Sequence, residues 1–159
     1  MIGVKFITLG TLKEGYLREA AAEYEKRLGA FCKMQMVQLK EEKLSDNPSE
    51  NEIKQALEKE AAKIMGEIPQ RAYKIAMCVE GKQLSSEELA DKLGEISERY
   101  GDVCFIIGSS HGLADSVKSA CDMRLSVSKL TFPHQLMRVL LLEAVYRGFN
   151  ILKGTKYHK

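Results

Sequence analysis

Two runs decide how this chain is read: F-I-I-G-S-S-H-G-L at residues 105–113 and L-S-V-S-K-L-T-F-P-H-Q-L-M-R at residues 125–138. The first is a continuously apolar strand that ends in a loop bounded by Gly108 and Gly112. The second is a short strand, a mixed apolar and hydroxyl loop, and a proline that opens a long apolar helix. Two loops that follow two strands make a place for a small ligand.

Working outward, strands are expected at Ile2–Leu9, near Met34–Leu39, at Ala72–Val79, at Asp102–Ile107 and at Met123–Val127. Helices are expected at 12–28, at Asn51–Met65, after Leu84, at Ala114–Ala120 and from Pro133 to about Phe149. Gly29 reads as a helix stop, and Gly66–Gln70 as a break. Glu80-Gly81-Lys82 reads as the exit from the third strand. Ser85 with Glu88 is a capping-box pattern. The third and fourth strands are apolar without alternation, which implies burial on both faces and a parallel sheet. Strands alternating with helices give a single α/β domain over residues 1–159. The final helix carries apolar residues on nearly every side, so it must be buried all round. A subunit interface is a natural way to cover its far side.

Composition sets bounds. No apolar run approaches the 18 or so residues of a membrane span, so no membrane partner is expected. The first nine residues read as a strand, not a signal peptide. Cys32, Cys78, Cys104 and Cys121 are too scattered for a metal knuckle and read as free, buried thiols of a cytoplasmic protein. Three histidines without ligand spacing make a metal site unexpected. Residues 123–159 hold seven basic residues and one acid, a net +6, against −4 for the first 122. A basic end on an acidic body suits a polyanionic partner.

Residues 108–112 also match G-x-S-x-G, the nucleophile elbow of hydrolases. The triad order Ser, acid, His then requires an acid on a later strand. Asp115 is too close, and Asp122 with His134 or His158 has no supporting motif. The loop from Val127 to Gln135 suits a flat heteroaromatic ring such as adenine, with apolar walls and main-chain hydrogen bonds at its edge.

F-I-I-G-x-x-x-G-L, L-S-x-S-K-x-T-F-P-H-Q-x-M-R and the final Y-H-K resemble the RlmH family, 23S rRNA pseudouridine N3-methyltransferases of the SPOUT class. A-x-x-E-Y-E-K-R-L-G at Ala20–Gly29 and L-S-S-E at Leu84–Glu87 extend the resemblance along the whole chain. The resemblance implies an α/β fold with a deep C-terminal trefoil knot, a homodimer packed through the knot, and S-adenosyl-L-methionine as cofactor. It implies cofactor contacts at Met77, Gly108, Val127, Ser128, Lys129, Leu130, Thr131 and Phe132. Met77 stands where Leu is common, and Ser109 and His111 where Gly and Asn are common.

N3 of the target base must lose a proton, which a base can take or a cation can favour. His158, His134, Arg138 and Lys159 are the candidates, with Arg138 and His158 preferred. Lys129, Arg138, Lys156, Tyr157 and Lys159 are the expected contacts to 23S rRNA in the assembled ribosome. The competing expectation is an RNA-binding protein of the same fold without activity.

Overall fold

A computed structural model describes all residues from Met1 to Lys159. Five strands form one parallel sheet: β1 (Gly3–Leu9), β2 (Lys33–Leu39), β3 (Tyr73–Gln83), β4 (Asp102–Ile107) and β5 (Met123–Ser126), in the order β2-β1-β4-β3-β5. Five helices flank it: α1 (Gly15–Leu28), α2 (Glu50–Glu67), α3 (Ser86–Arg99), α4 (Asp115–Ala120) and α5 (His134–Lys153).

Strand alternation explains the two layers. Val4 and Phe6 of β1, and Val103, Phe105 and Ile107 of β4, face the core shared with α1, α3 and α5. Ile7 and Leu9, with Cys104 and Ile106, face the second core, under α2 and α4. Because the central strands are covered on both faces, they read as unbroken apolar runs. Phe6 and Phe105, on paired strands, stack with ring centres 5.3 Å apart.

Several boundaries differ from expectation, each for a local reason. α1 begins at Gly15 instead of residue 12: the Leu12 and Lys13 carbonyls accept from Arg18, and the Lys13 N–H donates to Gln135. Gly29 does close α1 as expected, with an ordinary helical φ of −57°. α2 runs through Gly66 to Glu67 and ends before Pro69, which excludes helical φ and ψ in the residue before it. Its start is fixed by a capping box, Ser49 with Glu52. Pro133 sits just before α5 with an extended ψ of 138°, not inside its first turn. α5 also continues past Phe149 to Lys153, where Gly154 closes it.

The largest departure is at Glu80-Gly81-Lys82. Instead of leaving the sheet, β3 bulges there and resumes pairing, Lys82 with Leu125 and Gln83 with Ser126. A Cβ on Gly81 would lie 2.6 Å from the Leu125 carbonyl carbon, so only glycine permits this approach. The Ser85 capping box opens α3 as expected.

Within one chain, α5 is buried on one side only. Arg138, Val139, Leu141, Leu142, Val145 and Phe149 are buried against α1, α3 and the sheet. Leu136, Leu140, Ala144 and Arg147 form a half-buried stripe along the other side, of which Leu136 and Ala144 also touch the core. The thiols are free; Cys32 and Cys104 are buried, whereas Cys78 and Cys121 are only half-buried.

Candidate active site

The carboxyl ends of β3, β4 and β5 converge on a cavity of about 450 Å³. Parallel sheets place ligand sites at this end, because the loops that leave the strands diverge there. Met77 comes from β3, Gly108–Leu113 from the loop after β4, and Val127, Ser128, Leu130, Thr131 and Phe132 from the loop after β5. Seven of the eight side chains or loop positions expected to hold a cofactor are therefore brought together. Lys129 is the exception: it lies in the loop, outside the lining.

The first loop is shaped by its glycines. Gly112 has φ +84°, which disfavours any side chain. A Cβ on Gly108 would collide with the Gly112 carbonyl oxygen at 2.3 Å, so the loop closes tightly on itself. Gly112 N–H donates to the Ser109 carbonyl at 2.9 Å. The second loop is held by its hydroxyls: Ser126 Oγ donates to the Ser128 carbonyl at 2.9 Å, and Leu130 N–H donates to Ser128 Oγ at 3.0 Å. Nothing in the chain hydrogen-bonds the backbone of Thr131 or Phe132. Such groups bordering a cavity are open to a ligand.

Two features of the site were not anticipated from the sequence. Glu80 and Lys118 both line the cavity and pair at 2.6 Å, and this contact holds the Glu80 carboxyl below the usual range. Their separation of 38 residues hides the pair from any motif. Glu60 of α2 is 3% exposed, accepts from Ser109 Oγ at 3.1 Å and from the Glu42 N–H at 3.0 Å. Burial pushes its pKa up against these hydrogen bonds. It fastens the loop after β4 to the loop after β2.

The preferred proton-handling residues stand elsewhere. Arg138 is 3% exposed; its guanidinium donates to the Gly10 carbonyl at 3.0 Å and to Gln38 Oε1 at 3.1 Å, and its Nε has no partner. Burial lowers its pKa, with Glu25 opposing. So enclosed, it cannot touch RNA phosphate in this arrangement, contrary to expectation.

His158 lies at the other end of α5. A guanidinium only donates, so Arg147 fixes His158 Nδ1 as acceptor at 3.3 Å, and Nε2–H then donates to Glu87 at 2.8 Å. Both ring nitrogens are engaged. Tyr157 donates to Glu143 at 3.1 Å and packs edge-on against Tyr146 at 4.8 Å. Burial, with Tyr24 and Glu143 nearby, pushes its pKa up to about 12. Twenty residues of helix span about 30 Å, which separates the tail from its own chain's cavity. Lys156 and Lys159 are exposed there.

The hydrolase reading fails on geometry. Ser110 is exposed and has no histidine hydrogen-bonded to it, while the neighbouring Ser109 bonds to Glu60. No three His, Cys, Asp or Glu side chains cluster as metal ligands, and no helix is long and apolar enough to cross a membrane.

Comparison with known proteins agrees with this architecture. A family model described as predicted SPOUT methyltransferase matches residues 2–158. Ribosomal RNA large subunit methyltransferase H of Streptococcus thermophilus is 48% identical over 157 residues, covering 98% of this chain and 99% of the relative. The protein of that name from Leuconostoc mesenteroides is 46% identical over 159 residues, covering 99% of this chain and all of the relative. Among solved structures, the tRNA (m1G37) methyltransferase of Aquifex aeolicus superposes with a TM-score of 0.51 at 14% identity, covering 99% of this chain and 73% of that one, a likeness of fold. On the family model and these full-length relatives together, the chain belongs to the SPOUT methyltransferase family and, within it, to the RlmH family.

Proposed function

We propose that the chain transfers a methyl group from S-adenosyl-L-methionine to large-subunit ribosomal RNA, with N3 of a 23S pseudouridine in the assembled ribosome as acceptor. The observation that carries this reading is the cavity at the carboxyl ends of β3, β4 and β5, with its unclaimed backbone at Thr131 and Phe132. Its volume lies in the range of sites for ligands of this size. Met77, Leu130 and Phe132 supply apolar walls for an adenine ring, and the free backbone groups supply its edge contacts. Glu80, the one acid in the lining, is held ionised by Lys118 and offers an acceptor to hydroxyl or ammonium groups. When bound, the cofactor supplies a methyl group already activated by its sulfonium.

The protein's work is then orientation and proton handling. With the cofactor bound, the chain's residues would hold the acceptor nitrogen in line with the methyl group, the thioether would leave, and the nitrogen's proton would pass to solvent water or a base of the tail. Arg138 acts as a positioning residue, holding the ends of β1 and β2. His158 and the tail take part through a second copy. The half-buried stripe Leu136–Leu140–Ala144–Arg147 suits a homodimer, and an antiparallel pairing of the two α5 helices would carry each tail to the other copy's cavity. Lys129, Lys156, Lys159 and Tyr157 then border the RNA. The knotted path that the family resemblance implies belongs to the same reading. The protein would act in the cytoplasm, where ribosomes are.

The test is transfer of tritiated methyl groups from S-adenosylmethionine to ribosomes from a strain without this enzyme. Label in 23S rRNA, recovered as N3-methylpseudouridine, is expected. Ribosome binding without label would leave the inactive RNA-binding protein as the answer.

A further inference from the structure

A second cleft, of about 560 Å³, opens at the carboxyl ends of β1 and β2. It shares Ser110 and His134 with the first cavity, so the two are neighbours. Their linings differ in kind: the second has one hydrophobic residue, Leu39, and is otherwise polar.

Four of its polar side chains, Lys13, Gln38, Lys40 and Gln135, present donors. Lys13 and Lys40 border it, and neither ammonium is in an ion pair, although Lys5, Lys63, Lys74, Lys92 and Lys118 all are. Gln38 and Gln135 are oriented by their partners. Gln38 Oε1 accepts from the Arg138 guanidinium at 3.1 Å, and Gln135 Oε1 accepts from the Lys13 N–H at 3.0 Å. Both partners can only donate, so each amide must turn its oxygen inward. The two NH2 groups have no partner in the chain. Beneath the cleft, the Arg138 guanidinium adds a fixed positive charge through Gly10 and Gln38. Glu41 is the only acid in the lining.

Two ammonium groups, two free amide NH2 groups and a buried guanidinium call for a ligand rich in acceptors and negatively charged. A nucleic-acid backbone meets that description: phosphate oxygens for the lysines, and base carbonyls or phosphate for the amides. We propose that this cleft holds the phosphodiester backbone of the acceptor RNA beside the target nucleotide, with Lys13 and Lys40 on phosphate and Gln38 and Gln135 donating to acceptor atoms. It rests on the reading of the first cavity as the methyl-donor site and supplies what that site lacks, a grip on the acceptor. Gln135 also ties the loop after β1 to the first turn of α5, so the two clefts keep a fixed relation.

The experiment compares the full-length protein with a Lys13→Ala, Lys40→Ala double variant. A second double variant, Lys33→Ala with Lys54→Ala, removes the same charge elsewhere: Lys33 starts β2 at the sheet's opposite end, and Lys54 is exposed on α2. Both are measured for binding to unmethylated ribosomes across a salt series, for binding to S-adenosylmethionine, and for turnover.

The cleft variant should bind ribosomes about tenfold more weakly, with a salt slope shallower by about 1.4, the share of two single-strand phosphates that the lysines no longer neutralise. Its KM for ribosomes should rise while kcat and cofactor affinity stay within about twofold. The control should match the wild type. Equal weakening in both variants, or wild-type binding and slope in the cleft variant, overturns the proposal. A wild type that binds ribosomes through the cleft but transfers no methyl group would keep this site and overturn the enzymatic reading instead. A wild type that binds no ribosomes overturns both.

Discussion

Glu60 shows how a single residue can tie the loop after β4 to the body of the protein. Its carboxylate is buried and its pKa raised, so the native protein holds that proton more tightly than the unfolded chain. Stability from this group is therefore full below the ordinary carboxylate range and falls as pH rises through the raised value. In Glu60→Gln that pH dependence disappears. The difference in Tm, variant minus wild type, should grow as pH rises above the ordinary carboxylate range in calorimetric scans, on top of a constant offset from one mispaired hydrogen bond. A pH-independent difference would contradict it. Glu60→Ala leaves the Ser109 hydroxyl and the Glu42 N–H without their partner and should cost about 2 kcal/mol or more by urea unfolding.

Thiols give a second test at this scale. Burial pushes Cys104 up to about 12 and Cys32 and Cys121 up to about 11. Ellman's reagent at about pH 8 should react slowly with these three in the native protein and at once after denaturation. Of the site residues, those contiguous in sequence were legible, because one loop carries them. Glu60, Glu80 and Lys118 were not, since tertiary pairing alone gives them their roles.

Among elements, the strands were the most readable, because burial on both faces leaves unbroken apolar runs that turns interrupt. Helix ends were less so. α1 spends its first expected turn on a loop that Arg18 and Gln135 hold, and the β3 bulge at Gly81 is set by how near β5 passes. That closeness makes Gly81→Ala a sharp test. The added methyl would meet Leu125 backbone, which cannot rotate away. A destabilisation of about 1–3 kcal/mol in urea unfolding is expected. Ser85→Ala, which removes only a helix cap, should cost about 1 kcal/mol and leave cofactor binding intact.

At the scale of the whole molecule, α5 sets both the cavity wall and the outward half-buried stripe. Its apolar pattern was legible, yet no sequence pattern states which face the chain itself covers. If a second copy covers that stripe, light scattering at micromolar concentration should return twice the 17.9 kDa chain mass. Removing Tyr157–Lys159 should then abolish turnover while cofactor binding persists, because each tail lies far from its own cavity. Wild-type turnover in the truncated protein would remove the tail from the mechanism. The charge asymmetry needs the same wider view: of seven basic residues after Met123, Arg138 is buried and Arg147 is paired with Glu143, leaving five to face a polyanion.

The central claim is that the loops after β4 and β5 form the S-adenosylmethionine site. Isothermal titration with that cofactor tests it most directly, run on the wild type and on Leu130→Asp, whose parent side chain is 71% exposed at the cavity and tolerates exchange without refolding the core. One site per chain is expected in the wild type, with affinity reduced at least about tenfold in the variant. No heat of binding in the wild type, or equal affinity in both, would contradict the account.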